Sequence, residues 1–284
     1  MPGNMILFYQ TYSVRTKNTG QTDKKHRKGT HMKQLNEKVA IVTGAGQGIG
    51  KGIALVLARR GVKVVCTGRR IAPLEETVAQ IKAEGGEAFA MSCDSADRPR
   101  VEEVVKKAVE TYGSIDVIVN NGQAIAPAAK VEDTTYENML LAWQSGTIGS
   151  LNYMQAAFPY MKEQHEGRII NFASATGMFG IAGQLAYASN KEAIRGLTKV
   201  AAKEWGQYGI AVNCVLPGAE SPAAKAWAQK FPEEYEKQVM LNPMHRLGDP
   251  EMDIAPVIAF LSGPDSCYYS GQCLLVDGAN SITP

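Results

Sequence analysis

Apolar positions follow two alternating patterns along the chain. Val39 to Thr43 is a continuous apolar run, and 62–67, 88–92, 115–119, 168–172, 210–216 and 272–276 are short, mostly apolar runs, the pattern of buried parallel strands. Between them lie stretches of helical period: from Gly48 to Arg60, then 73–84, 98–112, 136–161, 184–208 and 254–261. The 98–112 stretch has its apolar face on Val101, Val104, Val105, Ala108 and Val109. The long 136–161 stretch is interrupted at Gly146 and Gly149. Regular alternation of strand and helix predicts a single α/β domain over 33–284. Its architecture is a Rossmann-type, doubly wound parallel sheet of about seven strands with helices on both faces.

Two segments fall outside this rhythm. Residues 219–248 are polar and proline-bearing but carry Trp227, Phe231 and Tyr235, so they form a candidate substrate lid. Residues 1–32 have one short apolar run, Met5 to Tyr9, too short for a signal-peptide core and followed by no small-residue cleavage site. They are expected to be a mobile leader or tail, with Met32 directly before the folded pattern.

Composition narrows the class without naming it. The chain has 284 residues, 45% hydrophobic and 20% charged, with formal net charge +2. That is ordinary for a soluble domain and gives no reason to expect a nucleic-acid partner. The leader holds six Lys or Arg against one acid, without arginine clusters or interleaved aromatics, which is poor material for a nucleic-acid arm. No apolar run approaches the ~20 residues of a membrane span. Five cysteines with no CxxC spacing read as reduced, mostly buried thiols in a cytoplasmic protein. No metal site is expected.

Candidate chemistry begins at the first strand-to-helix turn. Gly44-Ala45-Gly46-Gln47-Gly48-Ile49-Gly50 follows a strand and opens a helix, the context in which a glycine-rich loop cradles a dinucleotide pyrophosphate. The second strand ends in Gly68-Arg69-Arg70, where such folds carry an acid for the ribose 2′-hydroxyl. Arginine there suits a 2′-phosphate, so NADP(H) is favoured and NAD(H) stays open; two solvated turn arginines are the plainer alternative. Asp94 follows the third strand and Asn120-Asn121-Gly122 ends the fourth. Ser174 lies just past the fifth strand, and Tyr187 and Lys191 share one helical face four residues apart. A hydroxyl pair beside a cation suits proton transfer to a ketone or from an alcohol, and a nearby ammonium should lower the phenol's pKa. Taken alone, a Tyr and Lys at this spacing is also what a surface pair looks like.

Together these motifs resemble the short-chain dehydrogenase/reductase family from Leu35 onward. Thr43, Gly44, Gly48 and Gly50 match its TGxxxGxG, Asn120-Asn121-Gly122-Gln123 is a variant of its NNAG, and Ser174, Tyr187 and Lys191 match its serine and YxxxK. Pro217-Gly218 matches the pair after its sixth strand. The resemblance implies that Tyr187 is the general acid/base and that Lys191 tunes it and binds the nicotinamide ribose. It implies that Ser174 binds the substrate oxygen. Gly44, Gln47, Gly48, Ile49, Gly50, Arg69, Asp94, Asn121, Pro217 and Gly218 would contact cofactor, with Asp94 at the adenine and Asn120 lining the edge. Ser221 is the nearest hydroxyl to the position of a family threonine beside the nicotinamide amide. One departure matters: the position of the family's relay asparagine falls at Gly146, within Ser145-Gly146-Thr147, so water or Ser145 would have to substitute.

A narrower resemblance, carried by residues 171–174, 179–180, 183–184, 191–192, 194–197 and Gly248-Asp249-Pro250, is to bacterial bile-acid 12α-hydroxysteroid dehydrogenases. It implies a sterol-sized apolar pocket under the lid. Reduction of other carbonyls, such as oxoacyl thioesters, sugars or xenobiotic ketones, is the alternative, and a non-catalytic NADP(H) sensor is a third reading. The apolar helices at 136–161 and 184–208 could pack against a second subunit, and a homotetramer is expected.

Overall fold

In the computed structural model, residues 32–282 are described; the leader expected at 1–32 lies, Met32 apart, outside them. From Lys33 the chain builds one α/β unit. Its strands are β1 (Val39–Thr43), β2 (Lys63–Gly68), β3 (Ala88–Ser92), β4 (Val117–Asn120), β5 (Gly167–Phe172), β6 (Ile210–Pro217) and β7 (Cys273–Val276). All pair in parallel, in the order β3-β2-β1-β4-β5-β6-β7.

Alternation along each strand sends side chains to two separate cores. Ala40 and Val42 of β1 and Val117 and Val119 of β4 face one way, against Ile53 and Leu57 of α1 (Gly48–Arg59). Leu74 and Val78 of α2 (Ile71–Ala83) join that layer. Val39, Ile41 and Ile118 face the other way, against Val101 and Val105 of α3 (Arg98–Tyr112). Burial on both faces is why the inner strands read as mostly apolar, each fully buried Val or Ile contributing ~1.5–3 kcal/mol.

The 136–161 pattern resolves into α4 (Tyr136–Trp143), a π-helical turn (Gln144–Ile148) and α5 (Gly149–Gln164). The interruption expected at Gly146 and Gly149 is therefore a widened turn rather than a break. After β5 comes a short helix α6 (Ala175–Phe179), then α7 (Leu185–Trp205). The 219–248 stretch folds into α8 (Pro222–Lys230) and α9 (Pro232–Met240), ahead of α10 (Ala255–Ser262). Among the described residues no helix is long and apolar enough to cross a membrane.

At the N-terminal edge of the sheet, buried charges are paired. Lys38 Nζ donates to Glu166 Oε1 at 2.7 Å, Arg168 lies 3.5 Å from the same oxygen, and Lys33 Nζ donates to Asp116 at 2.9 Å. The C-terminal edge is arranged differently.

Candidate active site

The reversal of strand order lies between β1 and β4, and the two strands are tied where they end. Thr43 Oγ1 donates to Val119 O and accepts from the backbone N–H groups of Asn121 (3.0 Å) and Gly122 (2.8 Å), while Asn121 Nδ2 donates to Thr43 O at 3.0 Å. Gly44 turns the chain there with φ +67°, and a Cβ on it would meet Asn121 Nδ2 and Gly122 Cα at 2.9 Å. A Cβ on Gly50 would overlap Gly44 O. Both glycines are therefore set by close packing of loop on loop.

No side chain caps α1: Gln47 at its N-terminus makes no capping hydrogen bond. Its first-turn N–H groups, at Gly48, Ile49 and Gly50, are left for an anion, which fits a dinucleotide pyrophosphate. Arg69 and Arg70 are both exposed beside this loop, and Arg70 donates to Gln47 Oε1 at 3.0 Å. Among the described residues neither guanidinium is paired with an acid, and two such groups at the end of β2 fit a phosphate better than a bare ribose hydroxyl. Asp94 follows β3, exposed, its carboxyl accepting from Ala96 N at 3.0 Å.

The next two crossovers bring the hydroxyls and the amine together. Ser174 ends the β5 segment and caps α6, its Oγ accepting from Thr176 N at 3.2 Å. Tyr187 and Lys191 rise from the first turns of α7, with Lys191 Nζ 5.5 Å from the Tyr187 ring centre. Lys191 is buried and donates to Phe172 O, at the end of β5, at 2.6 Å. Burial pushes the Tyr187 phenol up, and a hydrogen bond with Ser174 pulls it part of the way back. Burial pushes Lys191 down from 10.5 to about 8. The sequence expectation of a phenol lowered by its lysine is thus corrected: desolvation of the phenolate outweighs the hydrogen bond with Ser174.

Asn120 is held inside the sheet, its Nδ2 donating to Asn171 Oδ1 at 2.8 Å, while its Oδ1 has no protein partner. Both polar atoms of the Gln123 side chain are buried and unpartnered. Gln123, the variant residue of the Asn120-Asn121-Gly122-Gln123 motif, thus brings two unsatisfied polar atoms to the mouth of β4. Pro217 ends β6, and Gly218 is stitched to Val276 and Gly248 by backbone bonds of 2.9 Å each. Ser221 caps α8, accepting from Ala224 N at 3.1 Å, so its hydroxyl is engaged in the fold. Ser145 is engaged too: it accepts from Ala124 N and donates to Leu141 O at 2.6 Å.

A shallow cleft beside Tyr187 is lined by Ala126, Pro127, Thr134 and Gly183. The segments that form it are joined by the Ala129–Gln184 bridge. A larger cavity, about 600 Å³, lies under the far end of the lid between Met244, Arg246, Gly248 and Asp277. Its lining mixes apolar Met244, Leu275, Val276 and Ile282 with charged Arg246, Asp253 and Asp277, so it is not the wholly apolar pocket expected beneath residues 219–248.

A family model described as enoyl-(acyl carrier protein) reductase matches residues 44–279. The chain belongs to the short-chain dehydrogenase/reductase family. It is an oxidoreductase of that family, whose relatives act on alcohol or ketone groups. It is 39% identical over 254 residues to a 12α-hydroxysteroid dehydrogenase of Clostridium sp., covering 87% of this chain and 98% of the relative. It is 34% identical over 249 residues to a 3-oxoacyl-[acyl-carrier-protein] reductase of Thermotoga maritima, covering 86% and 98%. Among solved structures, an actinorhodin polyketide ketoreductase variant with NADPH matches with TM-score 0.82 at 30% identity, covering 89% of this chain and all of that one.

Proposed function

We propose that this short-chain dehydrogenase/reductase interconverts a secondary alcohol and a ketone with NADP(H), and that its substrate is a hydroxysteroid of the bile-acid type. The observation that carries the chemistry is the convergence of Ser174, Tyr187 and Lys191 at the C-terminal end of β5. When bound at the glycine loop, the nicotinamide supplies or accepts the hydride at the substrate carbon. In reduction, Tyr187 gives its proton to the oxygen as negative charge develops there, and Ser174 holds that oxygen by a hydrogen bond. Lys191, anchored to Phe172 O, returns a proton to the phenolate. A burial-raised phenol suits the acid role, since the proton leaves only when the substrate oxygen becomes basic.

Arg69 and Arg70 support NADP(H) over NAD(H). Exposed apolar side chains, Ile125 after β4, Phe179 and Ile181 between Ser174 and Tyr187, and Trp227 and Phe231 in the 219–248 stretch, support an apolar substrate larger than a simple ketone. The likeness to a 12α-hydroxysteroid dehydrogenase supports the steroid reading. Free cysteines at all five positions support a cytoplasmic setting. The oxoacyl-reductase alternative is kept by the Thermotoga relative. NADPH consumption followed by absorbance across a panel of 12-oxo bile acids, 3-oxoacyl thioesters and cyclohexanone tests the reading. Bile acids should give the highest kcat/KM, and Tyr187→Phe should abolish turnover while NADPH still binds. Near-normal rates in Tyr187→Phe would remove the proton-transfer assignment; preference for thioesters would remove the steroid.

A further inference from the structure

Cys214 and Cys273 are neighbours across the β6–β7 ladder. They are partners in the parallel register, and Cys214 N donates to Gln272 O at 2.8 Å at that rung. Partnered residues on adjacent strands send their side chains to one face. Both thiols accordingly join one small core with Ala173, Leu216 and, from α7, Ile194. Neither is in a disulfide. Cα atoms of neighbouring strands stand ~4.8 Å apart, inside the ~4.4–6.8 Å that a disulfide spans. Side chains standing side by side hold their Cβ atoms wider than a relaxed disulfide prefers, so a bond here is strained and readily reduced.

The two sulfurs differ in their surroundings. Cys214 is fully buried, against the backbone of Ala173 and the Lys191 amine. Cys273 is half-buried and lines the cavity of about 600 Å³ under the far end of the lid. The Arg195 guanidinium lies beside it. Arg195 Nη1 donates to Glu192 at 2.7 and 2.9 Å, whereas its Nε is buried with no hydrogen-bond partner among the described residues. A hydrogen bond with Cys214, and Arg195 and Lys199 nearby, hold the Cys273 thiol below its ordinary range against the burial that opposes ionisation. The same hydrogen bond, with burial, pushes Cys214 up. Cys273 is thus the thiolate of the pair and Cys214 the thiol. A thiolate that opens on a cavity is a nucleophile, and its buried neighbour is not.

We propose that Cys273 is a modification site for hydroperoxides and that Cys214 is the thiol that resolves it into a reversible disulfide. The Cys273 sulfur attacks one peroxide oxygen, and the S–O bond forms as the O–O bond breaks. Sulfur loses two electrons to the peroxide and becomes a sulfenic acid. The second oxygen leaves as hydroxide or alkoxide and regains the proton that Cys273 gave up on ionising. The unpartnered Arg195 Nε–H is available to hydrogen-bond that departing charge. The Cys214 sulfur then attacks the sulfenic sulfur, the S–S bond forms, and the hydroxyl group leaves with the Cys214 proton as water. A dithiol reverses the bond by exchange. Bridging draws Cys214 away from Ala173, which directly precedes Ser174, and from Lys191. On the function proposed above, turnover should therefore fall when the bridge closes.

The test treats the reduced protein with hydrogen peroxide, traps sulfenic acid with dimedone, blocks free thiols with iodoacetamide and reads the peptides by mass spectrometry. Wild type is compared with Cys214→Ser, Cys273→Ser, Arg195→Met and Cys267→Ser. Wild type should give a Cys214–Cys273 bridge that dithiothreitol reopens, and Cys214→Ser should instead carry dimedone on Cys273. Arg195→Met should oxidise about tenfold more slowly near neutral pH, because less of Cys273 is thiolate. Cys273→Ser should keep its turnover in peroxide, and Cys267→Ser should behave as wild type. On the best carbonyl of the panel, bridging should lower kcat roughly tenfold, reversed by dithiothreitol, since a misplacement of ~1 Å costs up to ~10²-fold. Oxidation confined to the exposed Cys267, or a Cys273 no more reactive than Cys267, would overturn the site. A complete bridge with kcat unchanged would overturn its coupling to Ser174 and Lys191. Trapping needs no substrate, so a bridge formed in a protein inactive on every carbonyl would sink only the function proposed above.

Discussion

Lys191→Met should make the protein more stable at neutral pH while making it inactive. Met keeps the length and the packing of the lysine stem but removes a charge that is almost wholly buried. The fold lowers that amine from 10.5 to about 8, a shift worth ~3 kcal/mol at ~1.4 kcal/mol per unit. Against this, Phe172 O loses its 2.6 Å donor, at ~1–3 kcal/mol. The net gain at about pH 7 is then ~1 kcal/mol. The pH dependence separates the two effects. Between a folded pKa of about 8 and an unfolded 10.5, the folded protein binds fewer protons than the unfolded chain, so wild-type stability rises with pH across that window. The penalty is full below about pH 8 and gone above about pH 10.5. Met does not titrate, so the variant's advantage over wild type should shrink by ~2–3 kcal/mol between about pH 7 and pH 10. Urea unfolding of both proteins across that range measures it, with other titrating groups cancelling in the difference. A stability difference that stays constant from pH 7 to pH 10 would refute the claim that the amine is held against its own burial cost.

Three further outcomes follow from the geometry. Arg69→Asp should weaken NADPH at least about tenfold more than NADH, read by fluorescence titration; equal losses would separate this side chain from the 2′-phosphate. Gly50→Ala should lower stability by ~1–3 kcal/mol and loosen cofactor, because its Cβ overlaps a backbone oxygen, Gly44 O, that the loop cannot easily move. Glu166→Gln should cost ~3 kcal/mol in urea unfolding, since it leaves the fully buried Lys38 and the 2% exposed Arg168 without their shared carboxylate. A loss below about 1 kcal/mol would mean that Asp116 carries both cations instead.

Strand and helix placement were legible because both faces of the inner strands are buried, which leaves mostly apolar runs. The 98–112 helix was read to the residue for a local reason. Asp97 accepts from Arg100 N, a proline sits in its first turn, and Gly113 ends it at φ +85°. Helix α2 begins at Ile71, ahead of the Pro73 start expected from its pattern. The lid helices α8 and α9 were missed inside a polar stretch, although Ser221 capping Pro222 and a second start at Pro232 were visible signals. Ser174, Tyr187 and Lys191 were readable because they form a linear motif. The Arg70–Gln47 bond and the Cys214–Cys273 pairing were not, because each depends on which elements meet. The raised phenol was missed for the same reason: burial belongs to the assembled fold, whereas a lysine four residues away is visible in the chain.

The distribution of buried polar atoms argues for the same edge independently of any motif. Seven buried side-chain nitrogen or oxygen atoms lack a protein partner among the described residues, and five of them lie toward the C-terminal ends of the strands: Asn120 Oδ1, both atoms of Gln123, Asn190 Nδ2 and Asp277 Oδ2. At the opposite edge Glu166 accepts from Lys38 and from Lys33 N, Asp116 accepts from the Lys33 amine, and Arg168 Nη2 alone of the seven lies there. Folding stability alone gives no reason for such an asymmetry, since each unpaired group is a cost of ~1–3 kcal/mol. A ligand and its waters do give one, because they supply the missing partners only at the edge where strand order reverses and where Ser174, Tyr187 and Lys191 meet.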